Sequence, residues 1–452
     1  MISYINQKDD WYKNFFSLSI KEQYDTYISL LDQSVPDDEL IRDDFGTIAV
    51  DLKSNLINEK KYEEAIFLIE KTKNSTTKFY QKEYPYLSNF AVEYYLYKDD
   101  MKNALNHLQG FIDKPHIGYD LFIPLFNKIL FYNKHDLALQ IAKDIFPQIV
   151  HSDDLISGAE LELVNMIFFS LFQDYYVALK NGQTPDRQQV EATLKNYDYD
   201  DAFFESELPK IHKVLHQIVV SNKKPFFTSE EWKGVTQASL KSTLHDLFWS
   251  FAVYMLEEYK IHFSTSYNIW FGFSDFLVRN KTNPDFSFQK HELVKGIDQY
   301  FEFMSDKEEE EGFALLWGIP YIYDFLDQQQ LVSTQIKEQS LKHVKAVKNR
   351  LIKKYEDDVW RFDFVHAWCK PATISSEEFA EEQELFHQSF IKPKIETTKQ
   401  ISKSLESFTP LSIFDDLFKE EVDIRSTKSK QSKAQKKNKR KQAKKQRKKN
   451  RK

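Results

Sequence analysis

The chain has 452 residues, enough for two or more domains or one extended repeat structure. Only 10 Gly and 13 Pro occur, against average glycine usage of about 7 %, which argues against a many-stranded β fold that needs a turn every few residues. The 62 basic and 69 acidic residues give a formal net charge of −7, but residues 428–452 hold 15 of the basic ones and no acidic one. Taking those 15 from 62 leaves 47 basic residues against 69 acidic, a body of net −22 carrying a cationic tail.

One cysteine, Cys369, excludes an internal disulfide and any cysteine-based zinc site, and accords with a reducing compartment. Lys8, Asp9 and Asp10 sit where a secretory signal would need its apolar core. Apolar runs such as Leu163–Phe172 and Leu247–Leu256 are too short to span a bilayer. The expectation is a soluble cytoplasmic protein, or a nuclear one in a eukaryote, with no transmembrane segment.

Taken in order, residues 1–40 read as helix, with Trp11, Phe15, Phe16 and Ile20 at helical spacing and a break at Val35-Pro36. They are expected to cap the region that follows. From Phe45 to about Pro147 a helix-turn-helix pattern recurs three times, as FGTIAVDLKSNLINEKKYEEAIFLIEK, YLSNFAVEYYLYKDDMKNALNHLQGFIDKP and LFIPLFNKILFYNKHDLALQIAKDIFP. Each second helix opens on a small residue, Ala65, Ala104 or Ala138, which lets two helices approach closely. Tyr62 and Met101, three positions earlier, are expected to cover the turn. Recurrence at this spacing marks stacked helical hairpins, none of which can hide its apolar face alone.

The pattern resembles the tetratricopeptide repeat (TPR), whose turn reads Gly-Asp-Tyr-x-x-Ala; here the turns read EKKYEEA, KDDMKNA and NKHDLA. Lys53, Val92 and Phe126 stand where the family has a close-packing glycine, and Thr72, Phe111 and Ile145 replace the second alanine. The resemblance covers about a quarter of the chain and implies an all-α, TPR-like α-solenoid whose surface grips a protein partner.

Further along, His151–Asp154 reads as a loop, and Ser157 with Glu160 has capping-box spacing before a helix that stops at Asn181-Gly182. Asp186–Asn196 reads as a helix, NYDYDDAFF as an acidic loop, and FFESELPKIHKVLHQIVV leads to a polar break at SNKKP. A domain boundary is placed near residue 225, dividing a repeat region, 1–225, from a second all-helical domain, 226–392. Thr228 with Glu231 reads as a capping box before a long apolar run to about Phe263. SYNIWFGFSDFLV ends at the turn NKTNPD, and Glu308–Glu311 precede FALLWGIPYIYDFL. Lys337–Lys354 is basic and amphipathic, and Ser375 with Glu378 opens a helix ending near Phe390. A continuous irregular solenoid fits this half as well.

Residues 393–427 read as a linker with one amphipathic motif, Leu411, Phe414, Leu417 and Phe418. It suits either docking onto the body or insertion into a partner's groove. The tail, 428–452, has no large apolar residue and is expected to be disordered alone. Lys436, Lys437, Lys439, Arg440, Lys441, Lys444, Lys445, Arg447, Lys448, Lys449, Arg451 and Lys452 form a polyanion-binding run. RNA, DNA or a ribosome would be held without base preference, because no aromatics are interleaved. A nuclear localisation signal, a contact to anionic lipid headgroups and a solubilising tail remain open readings.

Catalytic signals are few. His212 and His216 have metal-ligand spacing but no HExxH frame. Asp363, His366 and Cys369 lie close in sequence and are the best residues for an alternative, a helical enzyme or effector with its site in residues 228–392. No phosphate loop and no dinucleotide fingerprint occur, so no metal or cofactor is implied. The reading is an interaction scaffold rather than an enzyme.

Overall fold

The computed structural model describes residues 8–391 apart from 34, 153, 156–157, 198, 200, 222–228, 281–285 and 303–307. The chain divides into a unit of residues 1–393 and a second of 394–452. The amphipathic motif and the basic tail lie outside the described residues, as do Ser157 and Thr228. The described residues are helical, and no strand occurs among them.

Helices α1 (Lys8–Ser17), α2 (Ile20–Asp32) and α3 (Asp37–Arg42) come first. A Ser19–Glu22 capping box starts α2, and Pro36 is the N-cap of α3, which accounts for the break at Val35-Pro36. The three repeats are the pairs α4 (Phe45–Asn58) with α5 (Tyr62–Ser75), α6 (Thr77–Tyr97) with α7 (Met101–Asp113), and α8 (Tyr119–Phe131) with α9 (His135–Val150). Next come α10 (Leu161–Lys180), α11 (Arg187–Lys195), α12 (Asp201–Ser221), α13 (Ser229–Lys233), α14 (Gln237–Tyr259) and α15 (Phe263–Asn280). The last are α16 (Lys290–Asp298), α17 (Glu309–Gln328), α18 (Thr334–Lys354) and α19 (Ser376–Ile391), with a 3-10 segment at Val359–His366.

The three hairpin turns are built alike. Lys60, Asp99 and Asn133 each take a left-handed conformation, with φ of 57°, 54° and 59°. In each, the next N–H reaches back five residues: Lys61 to Leu56 O, Asp100 to Tyr95 O, and Lys134 to Ile129 O, at 2.8, 2.8 and 3.1 Å. Such a bond closes the end of a helix when one residue goes left-handed, a place usually filled by glycine. The backbone N–H groups of Ala65, Ala104 and Ala138 then donate to the residue four earlier at 3.0 Å in each case. All three alanines are buried. The first helices also pack in series, α6 against both α4 and α8.

Where the TPR pattern has glycine in the first hairpin, buried Lys53 extends across to α6. Its Nζ donates to Tyr86 O and to Asn89 Oδ1, and burial holds its pKa down at about 8. Tyr62 does more than cover its turn. It is buried against residues from the far end of the chain, with its ring 5.3 Å from Trp360 and 5.1 Å from Phe390. Met101, in the matching place, is half-buried.

The boundary expected near residue 225 falls among residues 222–228, outside the described ones. One continuous apolar core runs from Phe15 to Phe386. Trp360 Nε1 donates to Tyr62 Oη at 3.1 Å and Trp368 Nε1 to Phe131 O at 2.8 Å, and α8 packs against α15 and α17. Hydropathy alone does not show which of these apolar faces meet.

Local differences have local causes. The run expected from Thr228 to Phe263 is split at Gly234-Val235-Thr236, where Thr236 and Ser239 make a capping box for α14. It is divided again at Lys260, whose φ of 59° ends that helix. Glu160 is the N-cap residue of α10 but makes no side-chain cap. α12 begins at Asp201, inside the segment read as an acidic loop, with that aspartate in the first turn where the helix dipole favours it. Ser375 caps α19 as expected, its Oγ accepting from Glu378 N at 3.0 Å.

Two turns away from the repeats allow a test of the left-handed positions. Exposed Gln330 has φ 56° and ends α17 with the same five-residue bond, while Gly182 has φ 75° and ends α10. Gln330→Gly should raise stability by about 0.5–1 kcal/mol, and Gly182→Ala should lower it by a similar amount. Urea midpoints at constant slope check both.

Candidate functional site

The clearest opening within the repeats is a groove of about 380 Å³ where α5, α6 and α7 meet. Its position follows from close packing at one end. A Cβ on Gly110 would stand 2.8 Å from Tyr84 Cδ2, so α7 crosses α6 only because that residue lacks a side chain. Tyr84 Oη donates to Lys114 O at 3.0 Å and to Ile117 O at 3.1 Å, fixing the chain after α7. Lys73 Nζ donates to Asn106 O at 3.0 Å and ties α5 to α7.

Under the groove, buried His107 shares a hydrogen bond of 2.7 Å with Glu70 Oε1 and stacks on Tyr95. The hydrogen bond from His107 is the main cause of the lowered Glu70 pKa, and burial lowers that of Lys73. The rim carries the exposed amides of Asn74, Gln81, Asn106 and Gln109. Lys73 and Lys114 oppose one Asp113 in the lining, with Glu70 beneath, so the groove is far less acidic than a body of net −22. Side-chain amides both donate and accept, so this lining can pair with an extended backbone, and the lysines favour acidic groups.

A second cluster joins the repeats to the later helices. Arg361 grips Glu93 through two nitrogens at 2.9 Å each. Lys128 contacts Glu93 and lies 3.1 Å from Glu310. Glu93, Lys128 and Glu310 are buried. Burial opposes ionisation of Glu93, but the charges and hydrogen bonds of Arg361 and Lys128 outweigh it and hold its pKa at about 2.

The structure brings Asp363 and His366 together. His366 Nδ1 is 2.8 Å from Asp363 Oδ1, and its Nε2 is 3.3 Å from Glu382 Oε1. Glu382 also accepts from Trp317 Nε1 at 2.6 Å and from Lys348 at 3.4 Å. Burial disfavours the imidazolium, yet the two carboxylates prevail and raise the His366 pKa. Glu382 is held at about 2, burial again being overcome, first by the His366 hydrogen bond. Both ring nitrogens are engaged, so this histidine is placed to clamp α19 rather than to take a proton from Cys369, which is exposed.

His212 and His216 do not form a metal pair. His212 is buried against Tyr175, ring centroids 4.5 Å apart, whereas His216 is exposed. Among the described residues, no group of three or more His, Cys, Asp or Glu is placed to hold a metal ion. No described helix is long and apolar enough to cross a membrane. The polyanion-binding run, Lys436 to Lys452, lies outside the described residues. The chain matches no known protein family, no curated protein and no solved structure.

Sequence reasoning found the turns and the Asp363–His366 pair but missed the groove, the Glu93 cluster and the second partner of His366, Glu382. Gly110 was the one readable mark, a glycine inside a helix that signals close approach. Glu93 stands alone in an apolar run, and its partner Arg361 is 268 residues away.

The buried histidines set a pH dependence. Burial holds the pKa of His135 at about 4, His212 at about 4 and His262 at about 2. Their stabilisation is complete above about pH 6.5, the unfolded value, and is lost as pH falls. His366 runs the other way, stabilising below about pH 6.5 and losing that effect as pH rises through its raised pKa. Glu308, which burial raises to about 7, opposes them over the same range, so the histidines' part is read by difference. Between about pH 6.5 and 4.5 the native chain should lose stability relative to a variant lacking one of them, and Glu93 and Glu382 should add a loss below about 4.5. His212→Phe should flatten the first phase and leave the second; equal slopes in both proteins would contradict this origin.

Proposed function

We propose that this protein is a TPR-like helical-repeat adaptor. It holds a polypeptide partner in the groove between its first two hairpins, and its basic tail tethers the complex to RNA, DNA or a ribonucleoprotein. The observation that carries this reading is the groove itself, with exposed amides and two lysines on an otherwise acidic body. Matching turns in successive hairpins support a solenoid-type stack with the groove at its first junction.

The tail's part rests on composition. Fifteen cations without an acidic residue neutralise phosphates and release counterions, which gives affinity that falls with salt and does not depend on base sequence.

The two parts separate experimentally. In pull-downs with and without nuclease, Lys73→Glu combined with Lys114→Glu should lose nuclease-resistant protein partners and keep nucleic acid. A chain of residues 1–427 should do the reverse, with its residual nucleic-acid retention flat across a salt series. Equal nucleic-acid retention by the full and shortened chains would remove the tether, and unchanged partners in the double variant would remove the groove.

A further inference from the structure

Helix α19 is strongly acidic and buries little of itself. Glu377, Glu378, Glu381, Glu382 and Glu384 fall within it, and Phe386 and Ser389 are its buried positions. A helix with so little apolar cover sits at the low end of local stability unless polar groups hold it. Glu377, Glu381 and Glu384 are exposed, whereas Glu378 and Glu382 are half-buried. Glu378 pairs with exposed Lys345 at 2.9 Å, a surface contact that contributes little. Glu382 is different. Its carboxylate meets Trp317 Nε1 of α17 at 2.6 Å, Lys348 Nζ of α18 at 3.4 Å and His366 Nε2 of the 3-10 segment at 3.3 Å. One side chain joins α19 to three other elements.

The protonation of His366 follows from its partners. Nδ1 faces Asp363 Oδ1 at 2.8 Å while Nε2 faces Glu382 Oε1. Ionised carboxylates only accept, and a neutral imidazole has a single N–H. Both contacts are therefore hydrogen bonds only when the ring carries two protons. With one proton, a ring lone pair points at a carboxylate oxygen. Burial opposes the charge, yet the two carboxylates raise the pKa above the usual histidine value. Lys348 responds in the same sense, because burial lowers its pKa. Rising pH acts on both cations that face Glu382, while Glu382 itself, held at about 2, stays charged.

The other titratable groups around the ring do not replace that proton. Tyr97 of α6, Tyr132 after α8 and Tyr321 of α17 are pushed up by burial and stay neutral. Glu93, Lys128, Glu310 and Arg361 are bound to one another. On α19, His387 Nδ1 is taken by Tyr97 Oη at 2.8 Å. The far end of the helix lies on the hairpins, with the Phe390 ring 5.1 Å from both Tyr62 and Trp360, and Ser389 Oγ accepting from Trp360 N at 2.9 Å.

We propose that α19 is a pH-sensitive strap: doubly protonated His366 latches it to the body, and loss of one proton as pH rises lets it lift and uncover Tyr62 and Trp360. The latch is fully present below about pH 6.5 and is lost as pH rises through the raised value of His366. With the latch closed, α19 opens only together with the rest of the body. The strap does not depend on the adaptor reading.

The test is hydrogen exchange by mass spectrometry on the full chain at about pH 6 and about pH 9. His366→Gln is compared with the native protein at the same pH, so that base catalysis of exchange cancels. At about pH 6, peptides of α19 should exchange at least about threefold more slowly in the native protein than in the variant, and at about pH 9 that ratio should fall to one or below. Peptides of α10–α12 should keep a ratio near one throughout. Glu382→Gln, which removes one acceptor of the imidazolium, should show the same pH-dependent ratio, and it keeps the test open if His366→Gln does not fold. A ratio for α19 that is equal at the two pH values would overturn the proposal, since packing alone would then explain it. Loss of protection in α10–α12 along with α19 at the higher pH would also overturn it, as general alkaline unfolding.

Discussion

The structure depends on three buried charges and one half-buried arginine that must meet. Glu93 comes from the second hairpin, Lys128 from the third, Glu310 from the start of α17 and Arg361 from the 3-10 segment. Removing one partner leaves the others buried and uncompensated, at a cost of about 3–5 kcal/mol. A cluster of this kind adds little net stability over a well-packed apolar one. What it supplies is selection: few other arrangements of these helices satisfy all four groups. Trp360 against Tyr62 and Trp368 against Phe131 then fill the space on either side. The chain beyond residue 358 thus acts as a strap that returns to the hairpins.

That return explains why so much of the fold was legible and so much was not. Helices, turns and the equivalence of Ala65, Ala104 and Ala138 are local properties, written within a few residues of each position. The left-handed residues Lys60, Asp99 and Asn133 could not be read from glycine, because the turns use polar side chains and tolerate the strain. Lys53 shows the same limit, since a lysine where the tetratricopeptide pattern would put glycine becomes intelligible only once Tyr86 and Asn89 lie beside it. The contacts between the hairpins and the later helices were hidden for a related reason. Aromatic faces on α8, α17 and the 3-10 segment are all apolar, and nothing in their spacing says which face joins which.

The sites follow the same division. Asp363 and His366 were noticed because they are neighbours in sequence, but Glu382 and Lys348, which decide what that histidine does, come from separate helices. The amide-lined groove is assembled from ordinary surface residues of three helices, none of which is unusual alone. Its character arises from two lysines placed on a body whose net charge is strongly negative. The stretch from α4 to α19 then becomes one framework on which a polar groove is held at a hairpin junction.

The central claim is that hairpins and later helices form one cooperative structure because the segment after residue 358 binds them together. Native-state hydrogen exchange, followed by mass spectrometry across low urea concentrations, tests it most directly. The account predicts that peptides from α4–α9 and from α17–α19 converge on a single opening free energy. Opening of residues 45–150 at lower urea than residues 309–391, as a separate unit, would contradict it.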